Sequence, residues 1–229
     1  MGGAGMVLAA AAAFVATHFL LSHPLRAPIV GRIGESGFMG LYSLVAAVTL
    51  GWLVFAYRAV GPEQPWWEVG DGLWVLATTI MLVASVLLIG SLIGNPALPG
   101  PVTAAPSEAK GVFAITRHPM LWSFALWGVA HILVFPTLAN MIVAKAIILL
   151  ALVGAALQDR KKEKLQPERW RGWEAKTSYW PFAAIADGRA RFGGFRPHDL
   201  AGGIVLWLAA TWAHGPLAGI PAGIWRWIG

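Results

Sequence analysis

The chain has 229 residues, 57% of them hydrophobic and only 12% charged, with a formal net charge of +6 and no cysteine. A soluble domain of this size carries about a quarter charged residues, so the composition points to an all-α integral membrane protein. Without cysteine there are no disulfides, iron–sulfur clusters, thiolate-ligated haem or cysteine nucleophiles.

In chain order the apolar stretches predict a single domain over 1–229, a bundle of about six transmembrane helices with a basic amphipathic cytoplasmic segment. The spans fall near 5–22, 38–60, 72–94, 119–138, 139–158 and 200–215. No Lys or Arg precedes the first, which therefore reads as a retained helix rather than a cleaved signal. Residues 95–106, rich in Pro, Gly and Ala, read as an irregular connector. Ser107 is a weak cap, and Glu108 suits the first turn of a short interfacial helix over 108–115. Pro119 fits the first turn of the fourth span, where its missing N–H costs nothing. After the fifth span, the charged run 159–173 reads as a cytoplasmic helical extension that stops near Gln166, because Pro167 follows. Trp170, Trp173, Tyr179 and Trp180 then mark a segment lying in the membrane interface.

Basic residues set the orientation. Arg26, Arg32, Lys110, Arg117 and ten more between Arg160 and Arg196 share one side, against Arg58 and Arg226 on the other. By the positive-inside rule the heavy side is cytoplasmic, so both termini lie outside. The positive charge is then accounted for by topology and membrane lipid, not by nucleic acid.

Of the six histidines, His198 sits in the basic loop and the other five fall into two depth-matched sets. His18, His23 and His118 lie near the inner face. His131, thirteen residues beyond His118 and so ~20 Å deeper, matches His214 toward the outer face. Haem needs imidazoles from separate helices at one depth, with cations for its propionates. The inner set offers this through His18 and His118, with Arg117, Arg26 and Arg32 as propionate partners. The same positions also suit interfacial histidines, and His131 suits a structural hydrogen bond between helices. Zinc is disfavoured: His18 and His23, five apart, face different ways, and no acid lies inside a predicted span. The lack of intramembrane acids also argues against a proton-driven transporter. Glu163, Glu168, Arg169, Trp173 and Glu174, with Arg117 and His118, form a second polar cluster able to hold a polar cofactor or substrate at the inner surface.

Thr17-His18-Phe19-Leu20-Leu21-Ser22, the stretch from Gly34 to Leu44, Thr116-Arg117-His118-Pro119, Trp127 through Ala130-His131, and Thr177 through Pro181-Phe182-Ala183 with Asp187-Gly188-Arg189 together carry a resemblance to the NnrU family. These are bacterial membrane proteins associated with nitrogen-oxide respiration, and the family in turn resembles the plastid zeta-carotene isomerase. The resemblance implies a b-type haem held by His18 and His118, with His131 the first substitute, and either a denitrification context or redox-gated cis–trans isomerisation of a hydrophobic polyene. Phe55-Ala56-Tyr57-Arg58 stands where the isomerase carries a further histidine. A more distant resemblance to isoprenylcysteine-type membrane methyltransferases rests on Arg117-His118-Pro119 and the segment Glu163 to Trp173, and implies S-adenosylmethionine. A non-enzymatic accessory subunit is the third reading; the sequence names no protein partner.

Overall fold

The computed structural model describes residues 3–98 and 108–228, in which every regular element is a helix. In order they are α1 (Gly3–Ser22), α2 (Arg26–Arg58), α3 (Asp71–Gly90), α4 (Val112–Ile115), α5 (Pro119–Val134), α6 (Leu138–Leu165), α7 (Pro167–Glu174), α8 (Ala183–Ala186), α9 (Pro197–Ala218) and α10 (Trp225–Ile228). Five of them, α1, α2, α3, α6 and α9, are long and apolar enough to cross a membrane, and α5 is a shorter apolar helix of 16 residues. The protein is an all-α integral membrane protein.

The helices pack in a chain of neighbours, α2 on α1, α1 on α6, α6 on α5, α5 on α3, and α3 on α9. Small residues set the close approaches. A side chain at Gly203 of α9 would sit 2.6 Å from the Cα of Val86 on α3, and one at Gly128 of α5 would sit 2.9 Å from the Ala144 carbonyl of α6. Such contacts draw apolar helices together where no hydrophobic gain is available from lipid. Alanines do the same for α1, which buries Val7, Ala10, Ala11 and Phe14 against Leu53, Ala56 and Ala139.

Three helices begin with proline at the first turn: α5 at Pro119, α7 at Pro167 and α9 at Pro197. Pro167 thus opens a new short helix as well as ending α6. The second span differs from the sequence expectation. Its helix starts at Arg26 and runs through a kink at Gly34, whose φ of 73° lies in the left-handed region that glycine adopts without steric cost. The expected interfacial helix over 108–115 shrinks to α4, because Gly111 has a φ of 59° and starts the helix late. Ser107 lies outside the described residues.

Both ends of the described chain reach the same face of the bundle. Gly3 packs against Val60 at the end of α2, Arg226 pairs with Asp71 at the start of α3, and the Trp66 amide donates to the Pro136 carbonyl in the α5–α6 turn. The run from Arg160 to Arg196 occupies the opposite face.

Candidate functional site

The Arg117-His118 motif sits on that basic face, fixed before α5 by extended-chain contacts. The Arg117 amide donates to the Ser178 carbonyl at 2.8 Å, the Phe182 amide donates to Ile115 at 2.7 Å, and Thr116 Oγ1 donates to Tyr179 at 2.8 Å. One carboxylate then ties both side chains to α6. Asp159 accepts from Arg117 Nε through one oxygen and pairs with His118 Nε2 through the other, each at 2.8 Å. Arg117 also reaches Glu174 of α7 at 3.5 Å. His118 is 3% exposed and Asp159 7%. Charge-assisted bonds of this kind, shielded from water, are the stronger class.

The surroundings of His118 are closed. Tyr179 and Trp170 rings stand 5.9 and 6.5 Å from its own, and its Nδ1 is buried without a partner among the described residues. Trp170 and Trp173, expected at the interface, are instead fully buried against Val86, Leu87, Val112 and Phe113. They pack there because α7 folds back under the bundle, while Trp180 alone of the expected belt stays well exposed, at 62%. Burial is the main reason the Glu174 carboxyl is raised above the usual range, with the Asp159 and Glu163 charges adding to it and Arg117 opposing. Burial likewise raises the Tyr179 hydroxyl.

His18 lies elsewhere, in a cavity of about 480 Å³ between α1, α2, α5 and α6 that Phe14, Tyr42, Leu121, Phe124 and Lys161 also line. Its Nδ1 donates to the Phe14 carbonyl at 2.6 Å and its ring meets Tyr42 edge-on. His23 shares this cavity, but both its ring nitrogens are engaged, by Ser22 and the Leu157 carbonyl. Arg26 pairs with Glu35 at 2.7 Å and lies over the Phe38 ring. The structure therefore does not bring His18 and His118 into one cavity.

It does bring His131 and His214 together. They face each other from α5 and α9 across a largely apolar cavity of about 430 Å³ walled by α3, with ring centroids 6.2 Å apart and planes 35° from parallel. Each Nδ1 turns back to its own helix, His131 to the Trp127 carbonyl and His214 to the Ala210 carbonyl, both at 2.8 Å. That fixes the tautomer and leaves each Nε2, with its lone pair, directed away from the helix that carries it. Trp127 lies against the His131 ring at 4.0 Å and limits its rotation. Two further lining groups, Thr78 Oγ1 and Trp207 Nε1, are buried with no partner among the described residues. Buried polar groups are nearly always satisfied, so these two stand out on an otherwise apolar lining. Arg226, stacked 4.7 Å over the cavity-lining Trp74, has a buried Nε in the same condition.

The sequence model of one protein family, described as NnrU protein, matches residues 6–222. The chain belongs to the NnrU family. No curated protein and no solved structure matches it. The NnrU match runs through all six apolar helices and so includes both histidine sets.

In this NnrU protein the sequence displayed His118 but hid what it does, because Asp159 lies one residue past the predicted fifth span, inside a run of lysines and arginines. An acid one position beyond an apolar span, facing an Arg-His pair before another, is the signal that would have found it. The depth match of His131 with His214 was legible. The Thr78 hydroxyl and Trp207 indole N–H, without partners among the described residues, were not, since hydrogen-bond satisfaction is a property of the folded state. Among the described residues no group of three or more His, Asp or Glu side chains is placed to hold a metal ion.

Proposed function

We propose that this NnrU protein binds haem b in the half of the bilayer away from its basic face, where His131 and His214 would hold it. The observation that carries the reading is the facing imidazole pair. The two rings come from separate helices to one largely apolar cavity, with centroids 6.2 Å apart, and both would hold the group there. Both rings already carry the backbone hydrogen bond that holds a ligating histidine in place and raises its basicity. The cavity supplies apolar walls for the macrocycle, with the Thr78 hydroxyl and the Trp207 indole N–H as polar groups on its lining. Bound there, haem would supply one-electron chemistry on a hydrophobic substrate or a nitrogen oxide.

The remaining residues act around that centre. Gly203 lets α9 approach α3 closely enough to bring His214 opposite His131. Asn140 donates to the carbonyls of His131 and Phe135, closing the end of α5 that carries one ligand. The positive-inside rule places the basic face in the cytoplasm and this cavity toward the outside. The family resemblance supports nitrogen-oxide metabolism as the context, and the apolar lining supports a polyene as the alternative substrate. A methyltransferase reading draws no support, because Arg117, His118 and Glu174 are spent on Asp159 and on each other.

The test is an absorption spectrum of protein purified from haem-replete cells, oxidised and reduced. A Soret band that shifts on reduction is expected, lost or five-coordinate in His131→Ala and in His214→Ala and intact in His18→Ala and His118→Ala. A band abolished only by the last two would return the ligands to the inner histidines. No band in any form would remove the cofactor. Adding a cis-polyene or nitric oxide to the reduced protein then separates the two substrate classes.

A further inference from the structure

The basic face carries a cavity of its own, distinct from the histidine sites. It measures about 650 Å³ and is lined by Lys110, Lys176, Arg189, Arg191 and Arg196, with Glu108 the one acid. Three of the five cations are neutralised locally: Lys110 by Glu108 at 3.1 Å, Arg189 by Asp187 at 3.0 Å and Arg196 by buried Asp199 at 3.0 Å. Lys176 and Arg191 have no ion pair among the described residues, and residues 99–107 contain no acid that would supply one. The cavity therefore keeps two uncompensated positive charges.

Its floor is ordered. Arg196 donates to the Ile93 and Gly90 carbonyls at the end of α3, and Arg189 donates to the Glu174 and Thr177 carbonyls. These anchors fix the wall on which the two unpaired cations stand. Between them the chain from Arg191 to Phe195 is irregular, and the amides of Gly193, Gly194 and Phe195 make no hydrogen bond within the described residues. Positive side chains with unpaired backbone N–H groups make an anion site. Phe192 and Phe195 pack edge-on at 5.1 Å and stay exposed on the same loop, and Phe182 is 57% exposed nearby in sequence. Exposed aromatics beside cations at the end of a transmembrane bundle fit a lipid surface better than open water.

We propose that this cavity seats the phosphate head group of an anionic phospholipid of the leaflet at the basic face, bound by Lys176, Arg191 and the Gly193–Phe195 amides. Two side-chain cations at the surface correspond to a preference for anionic over zwitterionic lipid on the order of thirtyfold. The occupant is a lipid rather than a soluble phosphate because Phe192 and Phe195 give its acyl chains a landing beside the head-group site.

The full-length protein in detergent is offered equal amounts of short-chain phosphatidylglycerol and phosphatidylcholine, and bound lipid is counted by native mass spectrometry. Phosphatidylglycerol is expected to dominate, and the preference is expected to fall close to parity in Lys176→Gln/Arg191→Gln. Both positions lie outside the helices, and an unchanged far-ultraviolet dichroism spectrum confirms that the variant folds. Equal retention of the two lipids, or an undiminished preference in the variant, overturns the proposal. Inorganic phosphate displacing phosphatidylglycerol at millimolar concentration, with equal sensitivity to the two substitutions, would assign the cavity to a soluble anion and overturn the lipid.

Discussion

Substituting Asp159 by alanine is the sharpest probe of what the Arg117-His118 motif does. The carboxylate holds two partners at 2.8 Å each, with Arg117, His118 and Asp159 side chains 13%, 1% and 10% exposed. Breaking a buried pair by removing one member costs 3–5 kcal/mol because the other charge stays buried. Glu174 at 3.5 Å still partly serves Arg117, so the lower end, about 3 kcal/mol, is expected. For a chain of this length that is a fall of ~6–12 °C in the thermal midpoint. The assay is far-ultraviolet dichroism of detergent-purified protein, for Asp159→Ala, His118→Ala and the double variant. Side chains in direct contact couple by about 0.5–3 kcal/mol, so the double variant should fall short of the sum of the singles. Additive singles, or an Asp159→Ala shift below ~2 °C, would refute the view that this triad fastens α5 to α6. Haem loading should survive in Asp159→Ala, since neither of its partners faces the histidine cavity.

Glu174 gives a pH prediction. Its carboxyl is raised in the folded state, mainly by burial, so the contribution is full below the ordinary glutamate range and is lost as pH rises through the raised folded value. Relative to Glu174→Gln, the wild type should lose thermal stability between mildly acid and neutral pH, and a gain over that interval would contradict the assignment. Gly203→Ala puts a methyl 2.6 Å from the Val86 backbone, an overpacking that costs about 1–3 kcal/mol; a lowered midpoint together with weaker haem retention is expected, and unchanged retention would show that the α3–α9 spacing does not set the histidine pair. Trp207→Phe removes an indole N–H that has no partner among the described residues, so haem should dissociate faster; an unchanged dissociation rate would show that the N–H does not serve the haem.

The fold was open to a sequence reader because lipid imposes one solution on long apolar stretches, and each of the six predicted spans overlaps an observed helix. Its errors were at glycine and proline. Gly34 kinks a helix that begins twelve residues earlier than its apolar part, and Gly111 delays α4. The belt reading of the tryptophans failed for Trp170 and Trp173 because it treats each indole by its sequence neighbours. Here α7 turns those rings inward onto Phe113 and Val112. The site was half legible. Depth along a helix is readable from residue counting, which is how His131 was matched to His214. Which histidine faces a cavity and which faces a carboxylate depends on helix rotation and on loops far away in sequence, and that only the structure shows.

The most direct measurement is electron paramagnetic resonance of the oxidised, haem-loaded protein. Two imidazoles on one iron give a low-spin signal, and the account predicts that His131→Ala and His214→Ala each convert it to high spin or lose the haem, while His18→Ala and His118→Ala leave it unchanged. A low-spin signal that persists without His131 and His214, and disappears without His18 or His118, would contradict it.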